Sequence, residues 1–93
     1  MDDAYQINLL TIQNKKGLHA RAAATFVKEV EKYDAEIFVE KEGVRVSGNS
    51  IMGLMMLAAA KGTKIKVLTT GQEAKEAMDG LTDLVNHKFG EDE

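Results

Sequence analysis

The apolar positions of the chain fall into short runs of two different periods. From Tyr5 to Ile12 they alternate loosely among β-forming residues, which predicts a strand. Asn14-Lys15-Lys16-Gly17 interrupts the pattern as a loop. Between Ala20 and Glu31 the residues Ala22, Ala23, Phe26, Val27 and Val30 recur at helical spacing, with Arg21, Lys28, Glu29 and Glu31 on the other side. Glu36 to Glu40 reads as a strand with Ile37 and Val39 on one face, and Lys41-Glu42-Gly43 turns it into a partner strand, Val44 to Ser47. Gly48-Asn49-Ser50 is a helix-start signal for Ile51 to Ala60, stopped by Lys61-Gly62. Lys64 to Thr69 alternates as a half-solvated strand. A last helix runs from about Gln72 to Phe89, with Ala74, Ala77, Met78, Leu81, Leu84 and Val85 as its buried stripe, Glu73 and Glu76 at its start and Lys88 in its last turn. Residues 90–93 read as a frayed tail. The order β-α-β-β-α-β-α, with half-polar strands, predicts an α+β fold: an open-faced two-layer β-sandwich in which three helices cover one face of a four-stranded sheet.

Composition narrows the class. With 93 residues, 44% hydrophobic, the chain holds one domain and one core. Zero Cys excludes disulfide and thiolate chemistry and suits a reducing compartment. No window approaches the length of a membrane span. The start, Met1-Asp2-Asp3, is acidic and so unlike a signal peptide, and a cytoplasmic location is expected. The net charge of −3 matters less than its layout. From Ala4 to Lys28 and again from Gly43 to Gln72 there is no acidic residue, while carboxylates gather from Glu29 to Glu42 and from Glu73 to Glu93. Such a division suits an anionic ligand or an acidic protein partner; chance clumping on a solvated surface would look the same. Five aromatics and a net acidic charge disfavour nucleic acid.

The residues leading into the first helix, Gly17, Leu18 and His19, include no good cap for its free N–H groups. His19 therefore sits where the helix dipole presents partial positive charge, which favours a neutral, nucleophilic imidazole. Arg21 adds a planar fork of donors for an oxyanion, and Gly17 lets the backbone approach a ligand closely. Gly17-Leu18-His19-Ala20-Arg21 thus fits an anion site containing a nucleophile, the parts that phosphoryl transfer through a phosphohistidine needs. The same residues also fit a histidine that ends a loop and an arginine on a solvated surface. A metal site is a poor competitor: the chain has only His19 and His87, without Cys or ligand spacing.

The segment Asn49 to Ala60 carries Ile51, Met52, Leu54, Met55, Met56 and Leu57 without a charge. An apolar face of Ile51, Leu54, Met55 and Ala58 leaves Met52 and Met56 over, which suits either an adaptable docking surface or a short, well-buried helix. Ser50 reads first as an N-cap; a phosphate there would oppose docking of acidic partners.

Together, Asn14-Lys15-Lys16-Gly17-Leu18-His19-Ala20-Arg21 and Asn49-Ser50-Ile51-Met52-Gly53-Leu54-Met55, ending in Ala60-Lys61-Gly62-Thr63, resemble the HPr family, the histidine-containing phosphocarriers of the bacterial phosphoenolpyruvate-dependent phosphotransferase system. The resemblance covers nearly the whole chain and implies a phosphocarrier, not an enzyme, with an antiparallel sheet and no cofactor or metal. It implies that His19 accepts phosphate from enzyme I on the ring nitrogen nearer the backbone and passes it to an EIIA-type subunit, with Arg21 balancing charge and Gly17, Leu18 and Ala20 completing the phosphate-binding loop. Ala24, Ile51, Met52 and Met55 would form the docking surface, and Ser50 would match the position that an HPr kinase/phosphorylase modifies in some members. A monomer without membrane insertion is expected. The sequence departs from the family at Ala22, where Pro usually follows the arginine, and at Asn49, where a basic residue is common. The first departure points toward a regulatory, nitrogen-branch carrier as the alternative to sugar uptake; the second bears on regulation at Ser50.

Overall fold

The computed structural model describes residues 5–93, so the acidic start at Met1-Asp2-Asp3 lies outside the described residues. The elements are β1 (Gln6–Thr11), α1 (Ala20–Val30), β2 (Glu36–Lys41), β3 (Val44–Ser47), α2 (Ile51–Met56), β4 (Lys64–Thr70) and α3 (Ala74–Asn86). The strands form one antiparallel sheet in the order β1-β4-β2-β3, so β4, last in the chain, is central and β1 is an edge. The α+β, open-faced arrangement is the one the hydrophobic pattern predicts.

Alternation along the strands separates the two sheet faces. Leu10, Ile37, Val39, Ile65 and Val67 turn inward with Ile12 and meet Ala22, Ala23, Phe26, Val27 and Val30 of α1 and Ala77, Met78, Leu81 and Val85 of α3 in one core. Phe26 is completely enclosed, worth ~1.5–3 kcal/mol for its side chain. On the open face Ile7 and Leu9 are exposed. Leu68 is nevertheless buried outside the main core, between its register partners Ile7 and Phe38. Phe38 in turn meets the Tyr5 ring edge-on at 6.2 Å and lies under the Arg45 guanidinium at 5.9 Å.

Three boundaries differ from expectation by more than one residue, each for a local reason. α2 ends at Met56, not Ala60: Leu57 and Ala58 make tightened bonds to Leu54 and Met55, and Ala58 turns to φ +51°. Residues 58–60 are then free to meet the loop before α1, where the Leu18 N–H donates to Ala59 O at 2.9 Å. α3 starts at Ala74 because Glu73 is engaged with the loop after α1: its N–H donates to Asp34 O (2.9 Å) and its carboxylate accepts from the Asp34 N–H (2.7 Å). It stops at Asn86, and Lys88 and Phe89 adopt left-handed angles that fold the Phe89 ring back into the core. Lys88 therefore lies beyond the last helical turn.

α1 and α3 are tied at one further point. The Tyr33 hydroxyl donates to Glu29 Oε2 at 2.7 Å, and Lys32 Nζ lies 3.0 Å from Glu29 Oε1. A Cβ at position 80 would stand 2.1 Å from the Tyr33 hydroxyl oxygen, which accounts for Gly80 in the middle of α3. The hydrogen bond to Glu29, then burial and the neighbouring carboxylates, push the Tyr33 phenol up to about 12.

Two predictions follow from these contacts. Gly17 has φ +66°, and a Cβ there would lie 2.4 Å from Ala59 O. Gly17→Ala should therefore destabilise by about 2 kcal/mol or more, read as a lowered urea midpoint and a Tm reduced by roughly 10 °C. Because the Tyr33 pKa is raised in the fold, its contribution is fully present below the ordinary tyrosine value and is lost as pH rises through about 12. Ultraviolet titration should find one phenol ionising at that pH in the native protein, and Tyr33→Phe should remove both that step and this part of the alkaline loss of stability.

Candidate phosphoryl-transfer site

The loop from Asn14 to Leu18 positions the site. Asn14 is fully buried, and its side-chain amide donates to Gly17 O at 2.8 Å, while the Gly17 N–H donates to Asn14 O. Gly17 and Leu18 are packed under Ala59, which sets where the chain enters α1.

His19 is the N-cap residue of α1, with extended backbone (φ −77°, ψ −178°) and no side-chain cap bond. Its carbonyl accepts the first helical bond, from the Ala23 N–H at 2.8 Å. The N–H groups of Ala20, Arg21 and Ala22 precede any helical acceptor and have none among the described residues. No acidic residue occupies the first turn. The first turn of the helix thus supplies no compensating charge of its own beside a half-exposed imidazole. Arg21 is exposed, and its guanidinium makes no hydrogen bond or ion pair among the described residues. It lines the same open cleft as His19, Lys15 and Lys16.

The other wall of that cleft is the C-terminal segment, Phe89 to Glu93. The expectation of a frayed tail at residues 90–93 is corrected here. Glu91 Oε2 lies 2.6 Å from His19 Nε2, and Glu91 Oε1 accepts from Asn14 Nδ2 at 2.9 Å. The Lys15 N–H donates to Glu93 O, and Lys15 Nζ lies 3.6 Å from Glu93 Oε1. Burial pushes the Glu91 carboxyl up, but the hydrogen bonds from His19 and Asn14 and the charges of His19 and Lys16 outweigh it and hold the group below its ordinary value. Glu91 and Asn14 are the residues that sequence reasoning missed. The available signal was the acidic run at the end of the chain opposite the acid-free stretch from Ala4 to Lys28.

The second motif lies next to the first because α1 packs against α2. Ser50 caps α2, its hydroxyl accepting from the Gly53 N–H at 2.9 Å. Only Leu54 within this short helix is buried; Ile51 is 41% exposed, Met52 74%, Met55 42% and Met56 77%. Ile51 and Met55 therefore do not form the buried face expected of them, and the reading of a short, well-buried helix gives way to an exposed apolar patch. Ala24, on α1, is half-buried. His87 is an exposed C-cap residue of α3, its Nδ1 2.7 Å from Asp83 O, and takes no part in the site. No cluster of three or more candidate metal ligands occurs among the described residues, and none of their helices is long and apolar enough to cross a membrane.

The chain matches the family model described as the PTS HPr component phosphorylation site over residues 8–87. It is 54% identical over 84 residues to the phosphocarrier protein HPr of Neisseria meningitidis, covering 90% of this chain and 94% of the relative. It is also 47% identical over 70 residues to the HPr-like protein Crh of Halalkalibacterium halodurans, covering 75% and 83%. Among solved structures, HPr from Thermoanaerobacter tengcongensis superposes with a TM-score of 0.90 at 41% identity, covering 95% of this chain and 99% of that one. The fold, the paired motifs and these similarities together establish that the chain belongs to the HPr phosphocarrier family of the phosphotransferase system.

Proposed function

We propose that this protein accepts a phosphoryl group from enzyme I on His19 Nδ1 and passes it to an EIIA-type subunit. The observation that supports the reading is the half-exposed imidazole at a helix N-terminus with neither a side-chain cap nor an acid in its first turn, beside an arginine unpaired among the described residues. A phosphate on the ring would meet the free amides of the first turn and Arg21. The dipole contributes ~0.3–2 kcal/mol and a charge-assisted hydrogen bond ~1.5–3 kcal/mol. These sums steady a phosphate without trapping it, as a carrier requires. Gly17, Leu18 and Ala20 shape the loop around it. The patch of Ile51, Met52 and Met55, with Ala24 beside it, supplies apolar docking area, and the flexible thioethers suit a surface that meets two partners in turn. The protein is consumed and regenerated in each cycle, so it is a substrate of its partners rather than a catalyst. All of these parts lie on one chain, so the reading needs no second copy, and its expected place of action is the cytoplasm.

Similarity to Crh, which in Bacillus subtilis is described as a catabolite repression HPr, favours a second reading: a regulatory module, of a nitrogen branch or of catabolite control, whose phosphorylation state switches partner binding. Modification of Ser50 by an HPr kinase/phosphorylase would place ≈ −1.5 to −2 charge beside the exposed methionines and weaken docking.

Incubation with enzyme I and labelled phosphoenolpyruvate should yield an acid-labile, base-stable phosphoprotein, and His19→Ala should abolish the label; label that persists in this variant overturns the carrier reading. Arg21→Ala should slow transfer by about tenfold or more, the loss of one charge-assisted hydrogen bond. Ser50→Asp should raise the KM for enzyme I while leaving kcat close to native. Tight binding of a regulatory partner that responds to Ser50→Asp but not to His19→Ala would favour the second reading.

A further inference from the structure

The two nitrogens of His19 have different surroundings. Nε2 lies 2.6 Å from a Glu91 carboxylate oxygen, whereas Nδ1 makes no hydrogen bond among the described residues. An ionised carboxylate can only accept, so the nitrogen facing it must carry the proton. The neutral ring then has its lone pair on Nδ1.

Glu91 is itself held. Its other oxygen accepts from Asn14, whose amide is completely buried and also braces Gly17, so the carboxylate is anchored to the loop that carries the histidine. Its N–H donates to Lys88 O at 2.9 Å, just after the left-handed pair Lys88-Phe89, and the buried Phe89 ring fastens that turn to the core. On the far side, Lys15 secures Glu93 through both its backbone and its ammonium. The carboxylate is therefore presented to the ring from a segment fixed at three points.

We propose that Glu91 is a positioning residue for phosphoryl transfer: it selects the Nε2–H tautomer of His19, so that Nδ1 is the nucleophile and Nε2 is closed to phosphate. This rests on the carrier reading above and adds to it the role of the C-terminal segment. In the forward step the Nδ1 lone pair forms the N–P bond while the bond from phosphorus to the phosphorylated donor breaks, the donor keeping that electron pair. No proton leaves the ring. The phosphorylated imidazole, protonated at Nε2, is then a cation facing the Glu91 carboxylate. In the return step the acceptor's nucleophile bonds to phosphorus and the N–P electron pair goes back to Nδ1. A carboxylate orienting an imidazole whose other nitrogen does the chemistry is the arrangement that nucleophilic and general-base histidines use repeatedly.

The test uses the full chain as native protein, Glu91→Gln and Glu91→Ala, each labelled with ¹⁵N-histidine. In native protein at a pH where His19 is neutral, Nδ1 should resonate as an unprotonated nitrogen and Nε2 as a protonated one; both variants should show averaged shifts. Phosphoramidate, a small chemical donor, should phosphorylate native protein at Nδ1 and the variants at both nitrogens, resolved by ³¹P NMR. Transfer from enzyme I should fall by roughly tenfold or more in Glu91→Ala, the scale on which loss of an orienting partner is felt. Amide spectra that overlay native away from the site separate this from misfolding. Variants that keep the native ¹⁵N pattern, the single Nδ1 product and the native transfer rate overturn the proposal. Should native protein take no phosphate from enzyme I, the carrier reading fails, while the nitrogen shifts and the phosphoramidate product still judge Glu91.

Discussion

The contact between the Gly17-Leu18 backbone and Ala59 O is the constraint on which the site depends. It joins the loop before α1 to the segment after α2, two stretches about forty residues apart in sequence, and leaves no room for a side chain at position 17. Through it His19 and the apolar patch are fixed relative to each other. The proposed function needs this, because a partner that grips the patch would have to reach the ring in the same encounter. The early end of α2 belongs to the same constraint: past Met56 the chain turns at Ala58, φ +51°, and presents Ala59 O to the Leu18 N–H.

Electrostatics complete the arrangement. The N-terminal end of α1 has neither an acidic residue in its first turn nor a capping side chain, a combination that costs helix stability and makes sense where an anion visits. The C-terminal carboxylates lie along one side of the cleft, with Glu91 on the ring and Glu93 on Lys15, while Arg21 has no side-chain partner among the described residues. Positive and negative groups are thereby sorted: the carboxylate addresses one ring nitrogen, and the guanidinium lies apart from it in the same cleft.

The architecture was legible because most of the elements carry a clear period. The helix stripe Ala22, Ala23, Phe26, Val27, Val30 is buried as a unit, and the first half of β4 alternates as its sequence does, before Val67, Leu68 and Thr69 are all buried. The His19 turn was legible for a different reason, the lack of a cap where one is ordinarily found. What sequence could not supply were long-range backbone partnerships. Nothing local distinguishes Ala58, which takes a left-handed angle, from Ala59 or Ala60, nor reveals that Glu73 is claimed by Asp34. The role of Glu91 was hidden because Gly90-Glu91-Asp92-Glu93 has the composition of a solvated tail; only the fold brings it to a buried asparagine near the other end of the chain. For Met52 and Met56, periodicity alone left exposure and burial open, and α2 proved too short to wrap both faces against the sheet.

Strand order has an implication for how the site is maintained. The residues that lead into the histidine loop come directly from β1, which is bonded on one side only, to β4. Edge strands are among the first parts of a sheet to open in native-state fluctuations. His19 is therefore tethered to a peripheral ladder rather than a central one, and its geometry relies on the cross-braces at Ala59, Asn14 and Ile12, whose N–H donates to Thr63 O at 2.9 Å. Catch-points of this kind, set just past the end of a strand, let the reactive turn stay ordered even while the ladder behind it breathes.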